Sequence, residues 1–237
     1  KPTVSESRAR RRLGRIRWRT VVSSVANMRA SASTSAPVMR LNNVDFPDNE
    51  RRPALGLGTW RMGESVASRA DEVKAIRLAL DLGYRVIDTA EMYGEGGAEE
   101  VVGQALADAL RGGDLVRDEV FVVSKVYPHN ASLAGTAAAC ERSLRRLRLD
   151  HIDLYLLHWR GAFALRDTLA GFEVLRAQGR IRHWGVSNFD VQDMDEVSAL
   201  AGAPACCADQ VYYSVSQRGV EHDLAPSRLE RARDLDH

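Results

Sequence analysis

The chain carries a short apolar run that ends in polar side chains: Val86-Ile87-Asp88-Thr89-Ala90-Glu91-Met92-Tyr93-Gly94. Two later runs have the same form, Val122-Val123-Ser124-Lys125 and Leu154-Tyr155-Leu156-Leu157-His158-Trp159. Short apolar runs of this kind are typical of buried parallel strands. In a barrel of parallel strands, the carboxyl ends of the strands meet at one mouth. We therefore expect Asp88, Tyr93, Lys125 and His158 to lie together, although about seventy residues separate the first from the last.

From residue 55 onward the sequence alternates between strand and helix patterns. The predicted strands are Leu55–Thr59, Tyr84–Asp88, Val120–Lys125, Ile152–His158, His183–Ser187 and Ala208–Tyr212. The predicted helices are Asp71–Leu82, Glu99–Leu110, Leu133–Leu147, Arg166–Gln178 and Val191–Leu200. Such alternation predicts a parallel sheet covered by helices. Ahead of it we expect a hairpin formed by Met39–Phe46 and the stretch around Arg51, with its turn at Pro47-Asp48-Asn49.

Two architectures have this alternation, the doubly wound sheet and the β/α barrel. The doubly wound nucleotide fold requires Gly-x-Gly-x-x-Gly between a strand and a helix, and Gly94-Glu95-Gly96-Gly97 lacks that spacing. The sequence therefore favours the α/β class and a (β/α)8 barrel of the TIM type. At roughly 26 residues per unit, the 25 residues after Tyr212 are too few for two further units. We expect an incomplete barrel with about six of its eight strands, in which the first and sixth strands are open edges.

Composition divides the chain into three parts. Residues 1–38 form an Arg- and Ser-rich extension in which Glu6 is the one acidic residue, and we expect it to be disordered. This extension is interpreted as an organelle transit peptide or as non-native upstream sequence ahead of Met39; a nucleic-acid-binding arm has less support. Residues 39–226 form the partial barrel, and residues 227–237 form a divergent tail without the strand pattern.

The overall composition argues against several classes of protein. The 237 residues are 45% hydrophobic, which suffices for one sizeable core, and the net charge of +1 gives no strong field that would attract nucleic acid. No apolar run approaches the ~20 residues of a membrane span. Three cysteines without Cys-x-x-Cys spacing indicate neither a disulfide framework nor a metal site, and favour a cytoplasmic setting. The basic cluster Arg142, Arg145, Arg146 and Arg148 is interpreted as a solvated helix face.

The four polar side chains at the predicted mouth suit proton transfer to a carbonyl oxygen. A free tyrosine, with a pKa of about 10, is a poor acid at neutral pH. An ammonium ~4 Å away is worth ~4 kcal/mol at an effective dielectric of ~20, so we expect Lys125 to lower the pKa of Tyr93 by about one or two units. Asp88 would keep Lys125 charged, and His158 would orient the substrate oxygen. Each residue alone has an ordinary structural explanation, and the hypothesis rests on their matched positions in successive units.

Six motifs make the chain resemble the aldo-keto reductase family. They are Leu55-Gly56-Leu57-Gly58-Thr59-Trp60, the segment Asp88–Tyr93, Ser124-Lys125, Leu156-Leu157-His158-Trp159, Gly185-Val186-Ser187-Asn188-Phe189 and Asp209-Gln210-Val211. They occur in family order from about Met39 to Leu224, and they look most like the small bacterial-type reductases of 2,5-diketogluconate and methylglyoxal. The resemblance implies an eight-stranded barrel that uses NADPH to reduce aldehydes or ketones, without a Rossmann domain.

The resemblance also implies roles for individual residues. Tyr93 would be the proton donor, tuned by Lys125 and Asp88, while His158 positions the substrate. The residues expected to bind the cofactor are Gly58, Thr59, Asp88, Ser187, Asn188 and Gln210. The residues expected to contact the substrate are Trp60, Tyr93, His158 and Trp159. The partner would be a small carbonyl compound taken by a monomer, with no metal, nucleic acid or membrane involved.

Two departures from the family pattern matter. Arg160 stands where many members have proline, which we expect to alter the substrate mouth. Family members also continue with a tyrosine that stacks on the nicotinamide and a basic loop that grips the 2′-phosphate; here Tyr212 or Tyr213 is the candidate for the ring, and the loop is not found. We therefore expect poor stability, weak NADPH binding and little turnover. The alternative function is a non-catalytic nucleotide-binding or scaffold barrel.

Overall fold

Parallel strands joined by helices make up most of the described part of the chain, which is residues 19–20, 43–46, 51–200 and 205–227 of this computed structural model. The strands are β1 (Arg19–Thr20), β2 (Asn43–Asp45), β3 (Arg51–Pro53), β4 (Gly56–Gly58), β5 (Val86–Asp88), β6 (Phe121–Val126), β7 (Ile152–Leu157), β8 (Ile181–Ser187) and β9 (Cys206–Gln210). The helices are α1 (Arg69–Asp81), α2 (Gly97–Gly112), α3 (Leu133–Leu147), α4 (Leu165–Ala177) and α5 (Val191–Ala199). Strands β4 to β9 and the five helices are the elements that the sequence predicts, with boundaries that agree to within two residues.

One parallel sheet carries the strands in the order β1-β9-β8-β7-β6-β5-β4. From β4 to β9 each strand pairs with the next strand along the chain, which is the arrangement of a barrel wall. The prediction of a partial (β/α)8 barrel with six of its strands is confirmed, and the sheet curls far enough for Gln210, at the end of β9, to bond Asp88, at the end of β5.

The edge at β9 differs from the expectation. Arg19 and Thr20 of β1 pair in parallel with Ala208 and Asp209, so the prediction that the sixth strand is a fully open edge is wrong over these two residues. At the other edge, the described part of the chain pairs β4 with β5 alone. The remainder of the predicted extension, residues 1–38, and all of the predicted tail except Ser227 lie outside the described residues.

The alternation of side chains along each strand decides which residues enter the barrel. On β6, Phe121 and Val123 belong to the inner core, whereas Val122 and Val126 face the helices and the outer core. Since successive side chains point to opposite faces, Lys125 shares the inner face. The same parity applies to β5, where Val86 is inside, and to β7, where the inner residues are Leu154 and Leu156. Asp88 and the residue after β7, His158, are therefore directed into the barrel at the carboxyl ends of the strands.

The predicted hairpin closes the opposite end of the barrel. Strands β2 and β3 pair antiparallel, as expected, while the predicted turn Pro47-Asp48-Asn49 lies outside the described residues. Phe46, which follows β2, packs on the ring of Phe121 with centroids 4.7 Å apart. Phe121 is the first residue of β6, so the aromatic plug lies at the amino ends of the strands, away from the polar mouth.

Local sequence signals explain where several helices begin and end. The hydroxyl of Ser132 accepts a hydrogen bond from the Gly135 N–H at the start of α3, and Asp190 accepts from the Asp193 N–H at the start of α5. Gly113 ends α2 in the left-handed region, at φ 75°, which suits a residue without a Cβ. No helix in the described ranges combines the length and the apolar character needed to cross a membrane.

The basic cluster on α3 divides into two pairs. Arg145 and Arg148 are exposed, as the sequence predicts. Arg142 and Arg146 instead form ion pairs with Glu91 and Glu99, two carboxylates that are buried. The interpretation of the whole cluster as a solvated face is therefore wrong, because Arg142 and Arg146, one helical turn apart on α3, are the counter-ions of two buried acids.

A single glycine sets how closely α2 and α3 approach each other. A Cβ added to Gly103 would lie 2.2 Å from the Arg146 carbonyl oxygen. We predict that Gly103→Ala lowers the free energy of unfolding by about 1–3 kcal/mol, although alanine is normally worth ~1 kcal/mol more than glycine inside a helix. The matched control is Gly219→Ala, where an added Cβ meets nothing within 4 Å, and its effect should stay within about 0.5 kcal/mol. Urea unfolding of the two variants checks this, and a stabilised Gly103→Ala protein would contradict the close approach.

Candidate active site

A cavity of about 460 Å³ opens at the carboxyl ends of the parallel strands. The residues that line it come from the ends of the six strands β4 to β9 and from the loops that follow them: Gly58, Trp60, Asp88, Tyr93, Lys125, His158, Ser187, Asn188, Gln210, Val211, Tyr212, Tyr213 and Ser214. This volume is within the range of about 300–1,000 Å³ typical of small-molecule sites. The structure thus brings together the four residues that the sequence placed at the mouth.

The ammonium group of Lys125 is the centre of the site. Its Nζ donates to Asp88 Oδ1 at 2.8 Å and to the Thr89 carbonyl oxygen at 2.9 Å. The third contact is with Tyr93 Oη, at 3.5 Å. Lys125 is 1% exposed, so this cation depends on protein groups rather than on water for its solvation.

The phenol of Tyr93 has a raised pKa. Burial is the largest cause and raises it; the charge of Lys125 lowers it, and the Asp88 carboxylate raises it again. The expectation that Lys125 would lower this pKa overall is therefore wrong, because the loss of hydration outweighs the attraction of the ammonium. The phenol consequently stays protonated at neutral pH, which is the form that can donate a proton.

His158 is a neutral imidazole beside that phenol. Burial, helped by the charge of Lys125, lowers the pKa of His158 to about 3. Its ring lies edge-on to Tyr93 with centroids 5.6 Å apart and is 4.7 Å from the ring of Trp159. In the part of the chain that the structure describes, Nδ1 of His158 is buried without a hydrogen-bond partner. A neutral imidazole can donate one hydrogen bond and accept another.

Three polar side chains lie on the far wall of the cavity, at the ends of β8 and β9. The hydroxyl of Ser187 donates to the Gln210 carbonyl oxygen at 2.8 Å, and Asn188 Nδ2 donates to that hydroxyl at 3.1 Å. Asn188 has φ 58°, a left-handed conformation that asparagine tolerates better than most residues. Gln210 Nε2 donates to Asp88 Oδ2 at 2.7 Å, so the amide and the carboxylate touch across the mouth.

Of the four remaining predicted residues, two line the cavity and two lie behind residues that line it. Gly58 lines the cavity, and the ring of Trp60 stands at its rim, 65% exposed. Thr59 is fully buried and does not line the cavity; its hydroxyl donates to the Asp88 carbonyl oxygen at 3.0 Å. Trp159 is also absent from the lining, and its ring packs on Tyr127 and His158. Thr59 and Trp159 therefore support residues of the cavity from outside it.

Several contributors were not assigned to the site from the sequence. Val211 and Ser214 line the cavity just after β9, beside Tyr212 and Tyr213, which the sequence did suggest. The buried acids Glu91 and Glu99, on either side of Tyr93, also went unassigned. Their position within two and six residues of the phenol was the available signal, but nothing in the sequence shows that their side chains are buried.

The profile of the Aldo/keto reductase family matches residues 54–230. Among curated proteins, the methylglyoxal reductase YeaE of Escherichia coli is 50% identical over 188 residues, which cover 79% of this chain and 64% of that protein. The glyoxal reductase of Bacillus subtilis is 35% identical over 161 residues, which cover 68% of this chain and 54% of that protein. The chain thus spans less than two thirds of the length of these relatives.

Solved structures that are similar to this chain are also aldo-keto reductases. An aldo-keto reductase from Klebsiella pneumoniae in complex with NADPH is similar with a TM-score of 0.74 at 49% identity, over 82% of this chain and 66% of that one. An aldo-keto reductase of Bombyx mori in complex with NADP has a TM-score of 0.68 at 29% identity, over 79% of this chain and 64% of that one. The region that the family profile matches contains strands β4 to β9 and every residue that lines the cavity, and the chain belongs to the aldo/keto reductase family.

Proposed function

We propose that the protein reduces an aldehyde or ketone to the alcohol with NADPH, and that Tyr93 is the general acid. The observation that carries this proposal is the contact of one buried ammonium, Lys125, with both Asp88 and Tyr93 at a cavity that His158 also lines. A phenol, an ammonium and a neutral imidazole around one small cavity are the groups needed to protonate an oxygen that gains negative charge.

In the proposed reaction, the chain's own residues handle the proton. Tyr93 gives its phenolic proton to the carbonyl oxygen and is left as a phenolate. Lys125, at 3.5 Å, stabilises that phenolate, and the carboxylate of Asp88, at 2.8 Å from Nζ, is the counter-ion of this buried ammonium. His158 stays neutral, so it can donate a hydrogen bond to the substrate oxygen and orient it for attack.

The cofactor role falls to the far wall of the cavity. NADPH, when bound, supplies the hydride that reduces the carbonyl carbon. We assign Ser187, Asn188 and Gln210 to its carboxamide, because their hydroxyl and amide groups can each donate and accept hydrogen bonds. Gly58 has no side chain to obstruct a ring that lies close to the backbone, and Asp88 lines the cavity beside Gln210. Thr59, the remaining residue of the predicted cofactor set, would act indirectly, by holding the Asp88 carbonyl group. The donor groups on the far wall of the cavity therefore fit the nicotinamide end of the cofactor.

The substrate is proposed to be a small carbonyl compound. The matching relatives named above are a methylglyoxal reductase and a glyoxal reductase, which makes methylglyoxal the first compound to test. Trp60 and Tyr212 line the cavity and are 65% and 72% exposed, so they would form the apolar walls of its opening. Trp159 would act from behind His158 rather than by contact with the substrate.

We predict that the full chain reduces methylglyoxal with NADPH at a low rate, and that Tyr93→Phe lowers kcat further, by a factor of about 10²–10⁴. The affinity for NADPH, measured by fluorescence quenching, should change little, because the ring and its packing are kept. Turnover and binding of parent and variant are measured together. NADPH binding without any Tyr93-dependent rate would instead support the non-catalytic nucleotide-binding barrel.

We predict that the His158 imidazole does not titrate between about pH 5 and 8, since its pKa lies at about 3. In the unfolded chain this histidine gains a proton near its ordinary pKa of about 6.5. The unfolded state therefore binds more protons in this window, and stability falls as the pH decreases from about 6.5 towards 3. His158→Gln should remove that part of the pH dependence in denaturant unfolding. If the free energy of unfolding of the parent and of His158→Gln changed equally with pH, the prediction would be contradicted.

A further inference from the structure

Two buried carboxylates flank Tyr93 along the chain and do not line the cavity. Glu91 is 8% exposed and Glu99 is fully buried. Ionised side chains are buried in proteins when specific partners compensate for the lost hydration. Each acid has a partner on β6 or directly after it and an arginine partner on α3. Strand β6 is the one that carries Lys125.

Glu91 binds the chain just after Lys125. Its Oε1 accepts from the Tyr127 N–H at 2.7 Å and from Asn130 Nδ2 at 3.1 Å. The backbone N–H of Glu91 also donates to the Lys125 carbonyl oxygen, at 3.4 Å. The other carboxylate oxygen of Glu91, Oε2, lies 3.4 Å from Nη2 of Arg142 on α3. The amino end of the Tyr93 segment is thereby fastened to the carboxyl end of β6.

Glu99 binds the residue just before Lys125. Its Oε1 accepts from the Ser124 hydroxyl at 2.6 Å, and its Oε2 accepts from Arg146 Nε at 2.7 Å. Ser124 is on the outer face of β6, where α2 and α3 pack, whereas the neighbouring Lys125 is on the inner face. The carboxyl end of the Tyr93 segment is thus fastened to the same strand, at the adjacent residue.

The backbone between these two anchors is strained. Gly94, Glu95 and Gly96 all have positive φ, at 56°, 52° and 94°. Glu95 has a Cβ, and a non-glycine residue in the left-handed region costs about 1–3 kcal/mol. Such a turn persists only where its surroundings hold it in place. The Tyr93 phenol lies at the start of this turn, and its 3.5 Å distance from Lys125 is at the outer limit of a hydrogen bond.

We propose that Glu91 and Glu99 are positioning residues that hold Tyr93 against Lys125 by fastening both ends of segment 91–99 to β6. The effect of these residues on turnover, unlike their effect on the position of Tyr93, rests on the proposed function. Stability alone does not require this arrangement, because a buried ion pair can often be replaced by apolar residues without loss of stability. The two acids instead fix the contact between Tyr93 and Lys125, which is the longest of the three hydrogen bonds of the ammonium.

The test uses the NMR signal of the Tyr93 ring in the full chain, which Tyr93→Phe identifies by its loss. The test variants are Glu99→Gln and Ser124→Ala. Ser124→Ala removes the hydrogen bond to β6 while the ion pair with Arg146 stays. The matched control is Glu100→Gln, which removes the neighbouring but half-exposed carboxylate that pairs with Arg69. The signal of Tyr84, at the far end of the barrel beside β5, serves as the reference for intact folding.

We expect the Tyr93 signal to move towards that of free tyrosine in both test variants and to stay in place in Glu100→Gln, with Tyr84 unchanged throughout. In an active enzyme, kcat should fall on the order of tenfold or more in the test variants, while the affinity for NADPH is kept. An unchanged Tyr93 signal in Ser124→Ala and Glu99→Gln would overturn the proposal. Collapse of all tyrosine signals in both would also overturn it, since the acids would then serve folding alone. A parent chain without turnover would refute the proposed function but leave the NMR result decisive for the positioning.

Discussion

The burial of the Lys125 ammonium is the constraint on which the site depends. Removing a cation from water costs several kcal/mol, which must be offset by well-placed partners. The three partners of Nζ are Asp88, the Thr89 carbonyl and Tyr93, which all belong to β5 and the loop that follows it. The register of β5 on β6 sets Asp88 opposite Val123, one inward-facing position below Lys125. The sheet pairing and the electrostatics therefore require the same alignment of the two strands.

The features that the sequence predicted well are those that depend on local periodicity. Apolar runs and helix patterns locate β4 to β9 and five helices, and α3 has the predicted ends at Leu133 and Leu147. The meeting of Asp88, Tyr93, Lys125 and His158 follows from the geometry common to parallel barrels, because each of them lies at or just beyond a strand end. These predictions need no knowledge of which side chains touch.

The failed predictions concern quantities set by tertiary contacts. The direction of the Tyr93 pKa shift depends on how much water the phenol loses, and the sequence gives no measure of that. Arg142 and Arg146 have the spacing of an exposed helix face, yet their partners Glu91 and Glu99 are 51 and 47 residues away. The contact between Gln210 and Asp88 was missed for the same reason. The pairing of Arg19–Thr20 with β9 could not be predicted, because the composition of residues 1–38 indicates disorder and shows no strand pattern.

Arg160 shows how a departure from a family pattern is accommodated. Proline restricts the backbone through its ring, whereas the guanidinium of Arg160 donates to the Gly161 and Phe163 carbonyl oxygens and pairs with Glu196 of α5. The loop after His158 and Trp159 is therefore tied to α5 by side-chain hydrogen bonds. The geometry of this loop then responds to ionic strength and to changes in α5, which a proline ring would not transmit.

The bond between Asp88 and Gln210 also has a consequence for the order in which the protein is made. It joins residues 122 positions apart, while the strands from β4 to β9 pair with their immediate successors. A growing chain can add each of these strands to a sheet that already exists, at a modest entropic cost per step. The carboxylate of Asp88 acquires its amide partner only after β9 has emerged and docked. The pocket is accordingly completed late, after strands β4 to β8 have already formed most of the sheet.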